Sequence, residues 1–281
     1  MPDVSLAETG SQKEALASAG SLEPRSLLPP DLGGVHVSLW PTAGEASIAV
    51  IPSWFSDRRE PREQTEADRE AHRRSNASRA ARAVRLYVRA NGLRFLWTAT
   101  YAEAAEDRAT VVANLRRFFE RLREKYGRMP VVAVVERGRR GTKRLHVHFA
   151  VPHWLPVQQV SDLWGHGFVY VGDPGKLSAN VDARTMAGYL AKYIRKQFEA
   201  GDGEAEEDRE DGRHRYLVTQ GWAPERKVRR FWTVDQAASW LAGIYGQPER
   251  VWPWTSQTMW GLAGFVVTYG DELIAHWLSP P

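Results

Sequence analysis

Lys143-Arg144-Leu145-His146-Val147-His148-Phe149-Ala150 sets two histidines either side of one β-branched residue inside an apolar run. Successive side chains of a strand point to opposite faces, so His146 and His148 share one face and Leu145, Val147, Phe149 and Val151 share the other. The apolar set is suited to a core. The two imidazoles then stand side by side on the opposite face, close enough to hold one divalent ion. Further along, Gly188–Lys196 (GYLAKYIRK) carries two tyrosines, Tyr189 and Tyr193, one helical turn apart.

The neighbouring segments give the histidine strand its place. Val131–Glu136 is a second buried run, and Arg137–Arg144 (RGRRGTKR) is a basic, glycine-containing turn, so the two runs form an antiparallel hairpin. Leu93–Tyr101 (LRFLWTATY) is a strand with Phe95, Trp97, Ala99 and Tyr101 on one face and Leu96, Thr98 and Thr100 on the other. Ala109–Tyr126 is an amphipathic helix with an apolar stripe of Val112, Leu115, Phe119 and Leu122. After a short helix over Pro156–Trp164 comes a strand, Gly167–Gly172, then a turn at Asp173-Pro174-Gly175. Asp182 or Asn180 caps a last helix that runs to about Glu199. Strand, helix, strand, strand, helix, strand and an extra helix make an α+β fold. The expected form is a ferredoxin- or RNA-recognition-motif-like antiparallel sheet with helices on one face. His146 and His148 would point from its open face.

The remaining chain divides around that unit. Residues 1–56 are expected to be disordered or peripheral, with a hairpin over Val35–Trp54. Residues 57–92 form a charged helix, with Arg79, Arg82, Arg85 and Arg89 along one side. The catalytic unit spans 93–220 and includes an acidic loop at Gly201–Gly212 and a strand at Arg215–Thr219. Residues 221–281 form a tryptophan-rich extension with a helix at Asp235–Tyr245, whose Ala238, Leu241 and Ile244 are spaced for burial, and a helix at its end. The arginine-heavy surface fits an anionic partner such as nucleic acid, or else a solvated charge mix. With no cysteine among 281 residues, disulfides, thiolate zinc sites and cysteine nucleophiles are excluded. No signal-like start and no run of membrane-spanning length is present, which suits a cytoplasmic protein.

Two histidines in a strand can simply be hydrogen-bonded. Glu136, at the end of the partner strand, adds a carboxylate if the register brings it opposite or diagonal to a histidine. Two imidazoles and a carboxylate suit Mg²⁺, Mn²⁺ or Zn²⁺ with positions left open. His153 and His166 do not share that face. On the later helix, Met186, Ala187, Leu190, Ile194 and Phe198 form the buried stripe. Tyr189 and Tyr193 lie on its margin, bordered on the wet side by Lys192 and Lys196. Tyrosines at such a margin often only pack. As a pair they suit nucleophilic attack, because a phenol becomes competent when a metal polarises the electrophile and an ammonium stabilises the phenolate. A phosphodiester is the electrophile that matches cationic surroundings.

These residues carry a resemblance. LWTATY, then Glu136 and LHVHFAV, then GYLAKYIRK, in this order, resemble the HUH endonucleases, in particular the rolling-circle replication initiator (Rep) proteins of bacterial plasmids and integrating elements. The Tyr189-x-x-Lys192-Tyr193 core is similar to that of the gene A replication proteins of single-stranded DNA phages. ARAVRLYVRANGLRFLWTATY, residues 81–101, resembles the lead-in to the catalytic domain of actinobacterial members. The resemblance implies a metal-dependent nickase and strand transferase acting on single-stranded or hairpin origin DNA with Mg²⁺ or Mn²⁺, alongside host helicase and replication proteins. It implies His146, His148 and Glu136 as metal ligands, Tyr189 and Tyr193 as nucleophiles in either order, and Lys192 and Lys196 as their cationic support. Arg82, Arg85, Arg139, Arg140, Lys143 and Arg144 are the expected DNA contacts. The same chemistry serves transposases and relaxases, and a non-enzymatic alternative is a single-strand-binding module with Trp97 and Tyr101 stacking on bases.

Overall fold

The computed structural model describes residues 32–52, 65–103, 108–137, 145–172, 178, 180–199, 216–255 and 263–269. The expected disordered leader, the acidic loop, the Asp173-Pro174-Gly175 turn and the C-terminal helix lie outside them. So do Arg139, Arg140, Lys143 and Arg144. The chain runs β1 (Leu32–Trp40), β2 (Glu45–Pro52), α1 (Glu66–Ala90), β3 (Phe95–Thr100), α2 (Arg108–Tyr126), β4 (Val132–Arg137), β5 (Leu145–Val151), α3 (Val157–Trp164), β6 (Val169–Val171), α4 (Ala183–Glu199), β7 (Tyr216–Val218), β8 (Lys227–Phe231), α5 (Val234–Tyr245), β9 (Arg250–Thr255) and β10 (Ala263–Thr268).

The expected α+β architecture is present, with two five-stranded antiparallel sheets. One has the order β6-β3-β5-β4-β7. Its first four members give the fourth-first-third-second order of a ferredoxin-like βαββαβ unit, and β7 extends the β4 edge. On one face Trp97, Ala99, Ala133, Val135, Val147 and Phe149 pack against α2 and α3. The stripe of α2 is set by Val111, Leu115, Phe118 and Leu122, so it is turned from the expected one. Phe118 meets Phe149 and Trp164 edge-on at 5.1 and 5.6 Å, which draws that side of the helix inward.

The other face is not open as expected. Leu96, Val132, Val134 and Ala150 are covered by Ala81, Val84, Tyr87 and Val88 of α1 and by Met186, Ala187, Leu190 and Ile194 of α4. Sequence periodicity finds the apolar stripe of a helix but not the surface on which it lands. α1 starts at a capping box, in which Thr65 Oγ1 accepts from Asp68 N and the Asp68 carboxylate accepts from Thr65 N. It begins later than the charged stretch suggests.

The hairpin β1–β2 is central rather than peripheral, since it lies in the middle of the second sheet, β8-β1-β2-β10-β9. Residues from both ends of the described chain therefore share one core, with α5 packed on it. In α5 the buried set is Val234, Ala237, Leu241 and Tyr245, whereas Ile244 is exposed. Tyr245 packs on Tyr269 at 5.4 Å and fixes that rotation.

Arg82 and Arg85 join the two sheets. Both guanidinium groups bond the carboxylate of Glu45, whose side chain is fully buried, at 2.8–3.0 Å. Arg82 also lies 4.3 Å over the Trp40 ring. Arg89 is buried and donates to the carbonyls of Gly44 and Tyr269. The arginine row expected to meet DNA is thus turned onto the second sheet at Arg82, Arg85 and Arg89. Equal three- and four-residue spacing cannot distinguish a phosphate-facing row from one facing a buried carboxylate.

Candidate active site

The hairpin register sets Glu136 opposite His146 and Val134 opposite His148, while β3 sets Thr100 opposite His146 and Thr98 opposite His148. Glu136, His146, His148 and Thr98 therefore occupy one face of three adjacent strands. The Glu136 carboxylate reaches diagonally to His148 Nε2 at 3.1 Å, and both side chains are buried.

The other ring nitrogen fixes the chemistry of His148. Thr98 Oγ1 donates its proton to the Gly172 carbonyl at 2.8 Å and stands 3.0 Å from His148 Nδ1. A hydroxyl has one proton, so toward His148 it accepts, and Nδ1 carries the hydrogen. In the neutral imidazole, Nε2 then presents a lone pair to a carboxylate oxygen. Two acceptors at 3.1 Å repel unless a positive charge lies between them, either a proton on Nε2 or a cation shared by both. A metal-bound histidine characteristically donates its second N–H to an oxygen in this way. Among the described residues no three His, Asp or Glu side chains are gathered tightly enough to enclose an ion as they stand. The converged pair is His148 and Glu136, with His146 the adjacent nitrogen donor on the same face. Imidazole and carboxylate are both donor types that divalent cations accept.

α4 delivers the tyrosines to the same place. Asp182 caps it, accepting from Thr185 N at 2.9 Å and from Thr185 Oγ1 at 2.6 Å, and these bonds hold its carboxyl below the usual range. With Met186, Ala187, Leu190 and Ile194 buried beneath it, the flank carrying Tyr189 and Tyr193 turns toward β5. The Tyr193 ring stacks on His148 at 4.5 Å and 22°. Tyr189 meets His148 edge-on at 6.3 Å, and the two phenol oxygens are 2.7 Å apart. Tyr193 is buried and Tyr189 partly exposed. Lys192 is exposed, as its place on the wet side requires; the side chain of Lys196 lies outside the described residues.

Glu136, His148, Tyr189 and Tyr193 are thus brought together, with His146 beside them on the same strand face, whereas Arg82 and Arg85 are directed elsewhere. His153 is exposed and away from this face, and His166 packs edge-on against Trp164 at 5.2 Å. Thr98 is the member that sequence inspection missed. Its signal was its parity: Thr98 and Thr100 are polar residues on the inward side of LRFLWTATY, where an apolar pair would otherwise pack.

Among the described residues no helix is long and apolar enough to cross a membrane. No curated protein and no solved structure matches this chain. Residues 94–198, from the start of β3 to the last turn of α4, match the family model for replication-associated protein ORF2/G2P, and this is the segment that supplies every residue of the site.

Proposed function

We propose that this protein is a replication initiator that nicks one DNA strand through a tyrosine and later rejoins it, starting rolling-circle replication. The observation that carries this reading is the stack of Tyr193 on His148 while His148 faces Glu136, which joins the phenols and the His148–Glu136 pair into one site. The replication-associated family match over the same residues supports it.

His146, His148 and Glu136 would hold Mg²⁺ or Mn²⁺, which would polarise a phosphodiester oxygen and neutralise its developing charge. The chain's own groups do the rest. Tyr189, the more exposed phenol, meets the substrate first. Its oxygen bonds to phosphorus, the bond from phosphorus to the 3′ oxygen breaks, and that oxygen leaves as a hydroxyl after taking up a proton. The Tyr189 hydroxyl lies 2.7 Å from the Tyr193 hydroxyl; its proton passes to solvent as the departing 3′ oxygen takes one up, so protons balance over the step. Lys192, one residue before Tyr193, supports phosphate or phenolate charge from the solvent side, and Lys196 is assigned the same task. The phosphotyrosine link conserves the bond energy, so Tyr193 can take a second strand without ATP. The free 3′ hydroxyl is the primer that host helicase and polymerase would use on an origin presented as a single strand or a hairpin.

The test is a denaturation-resistant adduct on labelled single-stranded origin DNA in Mn²⁺. Tyr189→Phe is expected to abolish the first adduct, and Tyr193→Phe to leave it and block the second transfer.

A further inference from the structure

Phe168 and Tyr170 are 62% and 46% exposed, a large apolar outlay at the edge of a sheet. Isolated surface aromatics need no explanation. These two are not isolated, because they belong to the face that carries the candidate site. Tyr170 pairs with Thr98, which pairs on its other side with His148. Thr100, opposite His146, donates its N–H to the Phe168 carbonyl at 2.8 Å. Cross-strand partners point to the same side, so the order across the sheet is Glu136, then the histidines, then Thr98 and Thr100, then the two rings. α4 lies over the β4–β5 side of this face and leaves the rings uncovered.

The segment bearing the rings is fixed at both ends. Ala102 N donates to the His166 carbonyl at 2.9 Å, and Gly172 N donates to the Leu96 carbonyl at 2.8 Å. Gly167 has φ +156°, and a Cβ there would collide with the backbone of Thr100 and Ala102. The close approach holds Phe168 against β3 and needs glycine beside it.

We infer that Phe168 and Tyr170 form a stacking shelf for two unstacked bases of single-stranded DNA, on the strand side of the site opposite α4. The spacing selects a single strand. Same-side residues of a strand are about 6.8 Å apart, roughly twice the ~3.4 Å rise per base in a duplex, so each ring takes a base only when the bases are drawn apart. Ring faces accept any base, which suits a contact that holds the strand without reading its sequence. Placement of the held strand beside a scissile phosphate rests on the nicking function proposed above; the stacking itself does not.

The test is fluorescence anisotropy of the full chain with fluorescein-labelled oligothymidylate and with a labelled duplex. Single Ala variants at Phe168 or Tyr170 are expected to weaken oligothymidylate binding about 5- to 150-fold, the range of ~1–3 kcal/mol per stacked base. Duplex binding should change less than about twofold, and Tyr170→Phe and Phe168→Tyr should bind as the parent does. Unchanged oligothymidylate affinity in the double Ala variant overturns the shelf. So does an equal loss on duplex, or a loss in Tyr170→Phe as large as in Tyr170→Ala. A parallel adduct assay separates the two proposals. Adduct formation with binding unaffected by the double variant removes the shelf alone; ring-dependent binding without any parent adduct removes the nicking function and leaves the shelf.

Discussion

The imidazole of His148 lies face-on against the phenol of Tyr193, with centroids 4.5 Å apart and planes 22° from parallel. One ring belongs to the central strand of the first sheet, the other to a helix more than forty residues later in sequence. The contact makes Tyr193 a packing residue and a candidate reactant at once, and substitutions can separate these roles.

Tyr193→Ala removes a buried ring beneath which His148 is held, and should cost ~3–5 kcal/mol, the range for buried aromatic truncation. Tyr193→Phe keeps the stack and loses the hydroxyl with its contact to Tyr189, so it should cost ~0.5–1.5 kcal/mol. Urea denaturation of both variants measures the difference. Equal losses would show that the hydroxyl rather than the ring holds the helix in place.

Thr98→Val preserves shape and removes the acceptor that orients His148. It also leaves the buried Gly172 carbonyl without its donor. The expected result is ~10–100-fold weaker Mn²⁺ affinity, as for other partners of metal-binding histidines, with ~1–3 kcal/mol lost in stability. Calorimetric titration with Mn²⁺ reads the first effect and thermal unfolding the second. Thr98→Ser, which keeps the hydroxyl, should restore most of the affinity.

Glu45→Gln leaves the guanidinium groups of Arg82 and Arg85 facing a neutral amide in a buried place. Removing one member of a buried charge cluster costs ~3–5 kcal/mol. Burial lowers the Arg82 pKa and the Glu45 carboxylate opposes that shift, so Glu45 supplies the charge that offsets the burial of Arg82. Chemical denaturation should show the loss. The salt dependence of DNA binding should be nearly unchanged in Arg85→Ala, in contrast to a residue that neutralises a phosphate.

Acid should weaken the start of α4. The Asp182 pKa is lowered in the folded state by its bonds to Thr185, so its stabilising effect is present above the unfolded value, ~3.9, and is lost as pH falls through the folded one. Thermal melts from neutral pH down to strongly acidic pH should show a smaller acid-dependent decline in Asp182→Asn than in the parent. An identical decline in both would place the acid-sensitive group elsewhere.

Much of the first sheet was legible because its signals are local. Alternation put His146 and His148 on one face, and the strand–helix–strand–strand order gave the antiparallel sheet. The stripe of α4 placed both tyrosines on a margin. What escaped depends on distant partners. The second sheet pairs β1 and β2 with β8 and β10, segments separated by most of the chain, and no short window contains both sides of that pairing. Arg82 and Arg85 read as a phosphate-facing row because the Glu45 that neutralises them is remote in sequence. In α2 and α5 the stripes kept Leu115, Leu122 and Leu241 but shifted by one residue at Phe118 and Tyr245, which found aromatic partners on other elements.

Covalent chemistry at Tyr189 and Tyr193 beside His148 and Glu136 is the step on which the proposed function stands. Its most direct measurement is the adduct between the full chain and labelled single-stranded origin DNA in Mn²⁺, resolved under denaturing conditions. The parent protein is expected to form the adduct and Tyr189→Phe/Tyr193→Phe to form none. An adduct that persists in that double variant, or none from the parent on its cognate origin, would contradict it.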